Sequence, residues 1–283
     1  MDRAFYTDLE IRTAGDGPAC VLTGAVASAD ACVGPWSPEL QHGGPPNALL
    51  VLLAERLAAV ASGRDDLIAV RLAAEFLGPV PLAPLVLGAR INRLSRTAVL
   101  VSAELGTPDR LCLQARVWLL APGETAVAGE TAAVGAAPVD AGRPAEVVDP
   151  MGLPEFGFHG FGYAKHLDWR AMTGSAGEPG PAAVWIRPLV PLVEGDALSA
   201  LQRAALLADS ASGISAELDW AHWSFANVDL DLHLFRPVRG DWLLVDAVTE
   251  LGSGIGMTRA ALSDLAGPVG AGLQTLLVRR SAT

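Results

Sequence analysis

The sequence contains few of the residues on which several classes of protein depend. Its three cysteines, Cys20, Cys32 and Cys112, are an odd number without metal-ligand spacing, which predicts neither a disulfide framework nor a zinc site. Lysines are few and the net charge is -11, whereas nucleic-acid binding needs clustered Lys and Arg. A nucleic-acid partner is therefore not expected.

Long hydrophobic runs are also absent. The longest apolar segment, Ala48 to Ala54, is followed directly by Glu55 and Arg56, so it is far shorter than the roughly 20 residues of a membrane-spanning helix. A secretion signal has a basic region followed by an apolar one, and the N-terminus shows no such pattern. We expect no contact with a membrane and, given the unpaired cysteines, a cytoplasmic location. With 51% hydrophobic residues among 283, a large buried interior is predicted.

An internal repeat is the most informative feature that is present. Residues 69–80 and 227–238 are similar in sequence when they are aligned on Pro79 and Pro237, which lie about 160 positions apart. Each copy alternates like a strand, follows an Ala/Leu-rich helical stretch, and precedes further strand-like runs. The closing runs, Arg110 to Leu120 and Gly270 to Arg279, contain Leu113-Gln114 and Leu273-Gln274 respectively. Two similar halves are predicted.

Residues 121–160, which are rich in Ala, Gly and Pro, are predicted to separate the halves. The expected division is an N-terminal half over 1–125, a linker over 126–160 and a C-terminal half over 161–283. In the second half, strands are expected near 162–170 and 183–188 with a hairpin loop between them. A helix is expected to begin at about Asp196, a plausible N-cap, and to continue to about Ser212.

The first helix is apolar on every face. Pro45-Pro46 suit its first turn, and Ala48 to Ala54 contain no polar side chain. Such a helix must be enclosed, and a curved antiparallel sheet wrapped around it would do this. The predicted class is α+β.

Two places could carry chemistry. Asp209 shares a helical stripe with Leu201 and Ala205, where burial would raise the pKa of its carboxyl group; equally, it could lie in solvent at the stripe's edge. His42-Gly43-Gly44 precede the first helix, where free amides could bind a carbonyl oxygen that becomes negative. A glycine pair there is also ordinary loop chemistry, and a lone histidine is more often structural.

His42-Gly43-Gly44 with Leu207-Ala208-Asp209-Ser210-Ala211 resembles the His-Gly-Gly…Leu-Ala-Asp-Ser-Ala signature of hotdog-fold thioesterases. That resemblance implies a double hotdog, with two antiparallel sheets each wrapped around a central helix. Val51, seven residues after Gly44, stands where the signature has its acid, and Glu194-Gly195 replace the glycine motif before the second helix. One intact site per chain is therefore implied.

From about residue 20 to 280 the order of elements is similar to that of double hotdog acyl-CoA thioesterases of the bacterial thioesterase II type. The resemblance implies that Asp209 acts with a Thr and a Gln that hold the attacking water. Gln274 falls on the Gln, and Asn227 stands at the Thr position. Alternation places Asn227 in phase with Asp229 and Asp231, toward solvent.

The expected function is hydrolysis of an acyl-CoA to a free acid and coenzyme A by Asp-activated water, without a cofactor or metal. The chain lacks Gly-x-Ser-x-Gly, so a serine nucleophile is not expected. A non-catalytic acyl-CoA binding protein remains open, as does a hotdog hydratase or dehydratase using an Asp and His pair, with His222 or His233 as candidates. Association into a homodimer of double hotdogs is allowed but not required.

Overall fold

A computed structural model describes residues 3–123 and 149–280. Most of the predicted linker, residues 126–148, lies outside the described residues. The first half contains these elements in order: β1 Tyr6–Ala14, β2 Val21–Ser28, α1 Gly44–Ser62, β3 Ile68–Phe76, β4 Leu85–Leu94, β5 Ala98–Thr107 and β6 Arg110–Leu120. The second half contains these: α2 Gly162–Lys165, β7 Leu167–Thr173, β8 Ala182–Pro188, α3 Ala200–Ala208, α4 Ala211–Ile214, β9 Trp223–Asn227, β10 Asp229–Leu234, β11 Leu243–Gly252, β12 Ile255–Asp264 and β13 Gly267–Arg280.

Within these residues the strands form one antiparallel sheet in the order β1-β2-β4-β5-β6-β3-β10-β13-β12-β11-β8-β7, and β9 also pairs with β13. The prediction of two antiparallel sheets is wrong in their number, because the sheets of the two halves join into one continuous sheet. Strands β3 and β10 pair with each other, because each half leaves this strand at its edge and an open edge presents unpaired backbone groups. Each half nevertheless has the same internal strand order.

The repeat corresponds to an approximate two-fold relation between the halves. Ala73 on β3 pairs directly with Asp231 on β10, and their separation (231 − 73 = 158) equals that of the two prolines (237 − 79 = 158). The recurring Leu-Gln pairs do not follow this relation. Ala73 pairs with Arg116 and Asp231 with Leu273, so the counterpart of Gln274 is Val117, the residue after Arg116.

Gln114 therefore belongs to no second site. Its side chain donates to Glu75 on the exposed face of β6. Gln274, in contrast, is buried. The recurrence of Leu-Gln in both closing runs is a coincidence of sequence.

Helix α1 is buried from Gly44 to Ala54 and packs on β4, β5, β6 and α3. It ends at Ser62, and the residue that caps it, Gly63, has a φ of +65°, which suits a glycine. Burial of its leucines supplies roughly 1.5–3 kcal/mol for each side chain. No helix in the described ranges combines the length and apolarity needed to cross a bilayer.

Helix α3 begins later and ends earlier than the sequence predicts. Ser199 is its N-cap and forms a capping box with Gln202, whereas Asp196 pairs with Arg56 on α1. Its last residue is Ala208, and Asp209 is the C-cap. Gly162–Lys165, predicted as strand, form α2 before β7.

The helices α1 and α3 run antiparallel. Glu55, just past the middle of α1, accepts hydrogen bonds from Ser199 and Gln202 at the start of α3. At the other end, a Cβ on Gly44 would lie 2.2 Å from the carbonyl oxygen of Leu206. This close approach brings the glycine turn of the first half against the end of α3.

Candidate active site

The carboxyl group of Asp209 lies at the centre of this contact. Asp209 is only 3% exposed, although it ends a helix and could have faced water. Burial raises its pKa to about 7, partly offset by hydrogen bonds from Asn227 and Gln274. A carboxyl group with this pKa can accept and return a proton near neutral pH.

Two side-chain amides hold one oxygen of the carboxyl group. Asn227 Nδ2 donates to Asp209 Oδ1 over 2.9 Å. Gln274 Nε2 lies 3.5 Å from the same oxygen and 3.1 Å from the backbone oxygen of Asp209. Ser212 completes the network, because its N–H donates to Gln274 Oε1 and its hydroxyl to Asn227 Oδ1. The network fixes the orientation of Asp209.

A β-bulge turns Asn227 inward, against the phase that simple alternation gives. Asn227 pairs with Leu276, and Asp231 pairs with Leu273. From Asn227 to Asp231 the chain advances four residues, whereas the paired segment of β13 from Leu273 to Leu276 advances three. The β9–β10 segment therefore contains one extra residue, which is a β-bulge. The half-exposed Val228 lies in this interval between the two strands. The departure from alternation therefore places the amide of Asn227 against Asp209.

The second oxygen of Asp209 faces the glycine turn. A Cβ on Gly43 would lie 2.6 Å from Oδ2, 2.9 Å from Oδ1 and 2.7 Å from the ring of Phe76. Gly43 has φ −68° and ψ −20°, a conformation open to any residue. Glycine is required here for space, since a side chain would occupy the position of the carboxylate.

The amides of the turn are not equivalent. The Gly44 N–H donates to His42 Nδ1 over 3.0 Å, and Pro45 and Pro46 have no N–H. The Gly43 N–H has no hydrogen-bond partner among residues 3–123 and 149–280. The sequence led us to expect both glycine amides as donors, and in this arrangement the Gly43 amide is the one available to a ligand.

His42 lies between the turn and the carboxyl group. Its Nδ1 is 3.2 Å from Asp209 Oδ2, but burial lowers the pKa of the imidazole to about 3. The ring is therefore neutral, and this close approach is not an ion pair. Because Nδ1 accepts from the Gly44 N–H, it carries no proton in this arrangement.

Tyr163 supports the site and is not recognisable from the sequence pattern. Its ring stacks on His42 with centroids 3.8 Å apart. Its hydroxyl donates to the Leu206 oxygen over 2.7 Å and lies 2.9 Å from Ser210 Oγ, and burial raises its pKa. Only the fold brings Tyr163 here, from a short helix more than 100 residues beyond His42.

No group of three or more His, Cys, Asp or Glu side chains that could hold a metal is found in the part of the chain that the structure describes. The histidines considered for a hydratase lie elsewhere. His222 contacts Asp219 at the surface, and exposed His233 contacts Arg71. The histidine at the candidate site is His42.

The described fold is similar to those of solved hotdog proteins. A conserved protein with a hotdog fold from Alicyclobacillus acidocaldarius has a TM-score of 0.68 at 16% identity, over 96% of each chain. The tesB protein of Mycobacterium avium subsp. paratuberculosis has a TM-score of 0.65 at 14% identity, over 92% of this chain and 93% of its own. Acyl-CoA thioesterase II TesB2 of Mycobacterium marinum has a TM-score of 0.60 at 16% identity, over 93% of this chain and 92% of its own.

Sequence comparison identifies both halves separately. No curated protein gives a significant match. Residues 33–120 match the acyl-CoA thioesterase N-terminal domain, and residues 140–278 match the acyl-CoA thioesterase C-terminal domain. Together these matches cover most of the chain, in the order of a complete pair of domains. The chain therefore belongs to the acyl-CoA thioesterase family and is a thioester hydrolase.

Proposed function

We propose that the chain hydrolyses acyl-CoA to a free carboxylic acid and coenzyme A by attack of a water molecule that Asp209 activates. One observation carries the proposal: the Asp209 carboxyl of the second half lies against the Gly43 backbone of the first. This contact brings a base close to a backbone hydrogen-bond donor, the two groups that hydrolysis of a thioester carbonyl requires.

The two oxygens of Asp209 have different tasks. Oδ1 accepts a hydrogen bond from the amide of Asn227 and lies near the amide of Gln274. These contacts hold the carboxylate in position. Oδ2 faces Gly43 and His42 and is the base. The sequence resemblance assigned the amides to the water itself, whereas their contacts favour a positioning role through Asp209.

In the proposed reaction, Oδ2 takes a proton from water as the water oxygen bonds to the thioester carbon. The carbonyl oxygen becomes an anion and accepts a hydrogen bond from the Gly43 N–H, near the positive end of α1. One such donor typically contributes about 10²–10³ in kcat. The carbon–sulfur bond then breaks, the carbonyl reforms, and the leaving thiolate receives the proton from Asp209.

One site per chain follows from the two-fold relation. Val51 stands where the second half has Asp209, and this buried apolar side chain supplies no base. Before the second helix Glu194-Gly195 replace the glycine motif, and the N-cap there is Ser199 where α1 has Gly43. We also propose that the chain divides as the sequence predicts, into two hotdog halves over 1–125 and 161–283, each built around its helix.

The proposal is tested by measuring thiol release from a panel of acyl-CoAs of increasing length, together with hydration of 2-enoyl-CoA. Thiol release that is linear in enzyme concentration is expected, without hydration of the double bond. Hydration without thiol release would support a hydratase, for which the contact of His42 with Asp209 is the relevant observation. Binding without either reaction would support a non-catalytic role.

Activity is expected to depend on pH through Asp209. The ionised carboxylate is the active form, so kcat/KM should rise with pH, with a midpoint near the pKa of about 7, and level off above it. The measurement is a pH–rate profile with a thiol-independent readout of acid release. A profile that is flat from pH 5 to 8 would exclude Asp209 as the base.

Replacing Asn227 with alanine is expected to move this midpoint upward. The amide of Asn227 lowers the pKa of Asp209, so its loss should raise that pKa and reduce kcat at pH 7 by about tenfold, as one hydrogen bond to a charged group is removed. Asn227→Thr is the matched control, because it introduces the residue that thioesterases of the bacterial thioesterase II type have at this position. It should retain the wild-type midpoint of the pH–rate profile. An unchanged profile in Asn227→Ala would contradict the positioning role.

A further inference from the structure

Asn47 is a polar residue in the apolar first helix. Every residue of α1 from Gly44 to Ala54 is buried, and Asn47 is fully buried with them. Neither the amide nitrogen nor the oxygen of its side chain has a hydrogen-bond partner within the two described ranges. Buried amides without partners destabilise a folded protein, and native structures contain few of them. An aliphatic side chain at this position would avoid the penalty.

The helix places Asn47 beside the candidate site. Asn47 is four positions after Gly43, which is a net rotation of about 40° and a rise of about 6 Å along a helix, so both positions share one face of α1. The face at Gly43 is turned to Asp209 and Phe76. The Asn47 N–H donates to the Gly43 oxygen over 3.1 Å, which shows that the helix is regular over this turn. Asn47 therefore stands one turn deeper than the proposed carbonyl position.

We propose that Asn47 determines specificity by binding a hydroxyl group of the acyl chain, a few bonds from the thioester carbonyl. An amide both donates and accepts, and a hydroxyl group can satisfy both of its atoms. The preferred substrates are then hydroxyacyl thioesters rather than unsubstituted acyl thioesters of the same length. This inference rests on the proposed function, because it places the acyl chain along α1 below Gly43.

The test compares acyl-CoAs of equal length with and without a hydroxyl group, beginning with butanoyl-CoA and its 2-, 3- and 4-hydroxy derivatives. Wild-type protein is expected to favour one hydroxylated member by about tenfold in kcat/KM, which corresponds to one hydrogen bond. Asn47→Leu should abolish this preference, retain hydrolysis of butanoyl-CoA, and raise the melting temperature. Leu50→Met, an apolar change on the same helix, should keep the preference.

Binding measurements separate failure of this inference from failure of the proposed function. Kd values for the same ligands are measured by calorimetry with wild-type protein under non-hydrolysing conditions and with Asp209→Asn and Asp209→Asn/Asn47→Leu. If hydrolysis occurs but Asn47→Leu leaves the substrate ratio unchanged, Asn47 has no role in specificity. If no acyl-CoA is hydrolysed, the proposed function fails, and the effect of Asn47→Leu on the ratio of Kd values decides this inference alone.

Discussion

Asp209→Asn is expected to reduce kcat/KM for acyl-CoA hydrolysis by about 10²–10⁴, the usual contribution of a general base. Asparagine has nearly the same shape and can still accept the hydrogen bond that Asn227 donates to Oδ1. It cannot take a proton from water. The loss should therefore appear mainly in kcat, with substrate affinity little changed, and a steady-state assay of thiol release measures it.

The same substitution should stabilise the protein at alkaline pH. Because the pKa of Asp209 is raised to about 7 in the folded state, the folded state holds its proton more tightly than the unfolded chain. The favourable contribution of protonated Asp209 to the free energy of unfolding is fully present below pH 4. It is lost as the pH rises through about 7 and is absent above that. At pH 8, Asp209→Asn should melt at a higher temperature than the wild type, and below pH 4 the difference should vanish.

Glu55→Gln is the matched control for this variant. Glu55 is the carboxyl group at the opposite end of the α1–α3 pair, and burial also raises its pKa. It lies away from the glycine turn, against Ser199 and Gln202. Glu55→Gln should retain activity, whereas a loss equal to that of Asp209→Asn would show that any disturbance of the helix pair abolishes hydrolysis.

Gly43→Ala is expected to damage both folding and catalysis, because the added methyl group would enter the site itself. The new Cβ would lie 2.6 Å from Asp209 Oδ2 and 2.7 Å from the Phe76 ring, well inside contact distance. Either the turn or the carboxylate must move, which should destabilise the fold by about 1–3 kcal/mol. A shift of about 1 Å at a reacting group can lower the rate about 10²-fold, so kcat should fall even in molecules that remain folded.

Gly152→Ala provides the control for Gly43→Ala. A Cβ at Gly152 meets no atom within 4 Å, and its φ is not positive. Its melting temperature and kcat should match those of the wild type. Wild-type kinetics in Gly43→Ala would contradict the close approach of the two halves on which the site depends.

Local features of the fold were predictable because they depend on neighbouring residues. Alternation over residues 229–234 and the Gly-Pro start of α1 predict a strand and a helix that the structure contains. The repeat about Pro79 and Pro237 also predicts the equivalence of β3 and β10. Its extension to the two Leu-Gln pairs was wrong, since sequence distance does not record how many residues each turn uses.

Features that depend on distant contacts were not predictable. Asp196 is as suitable an N-cap as Ser199 by residue type, but in the structure Asp196 lies outside the helix and pairs with Arg56. The inward orientation of Asn227 depends on the bulge opposite β13, which alternation cannot indicate. Tyr163 contacts His42 through the packing of α2 against the first half, and no local pattern marks it.

The most direct test of the account is the titration of Asp209 itself, followed by ¹³C NMR of the carboxyl carbon and assigned by the loss of its signal in Asp209→Asn. The account predicts a midpoint near 7 that coincides with the midpoint of kcat/KM. A midpoint near the ordinary aspartate value of about 3.9, with activity rising at a different pH, would contradict a buried carboxylate base at this position.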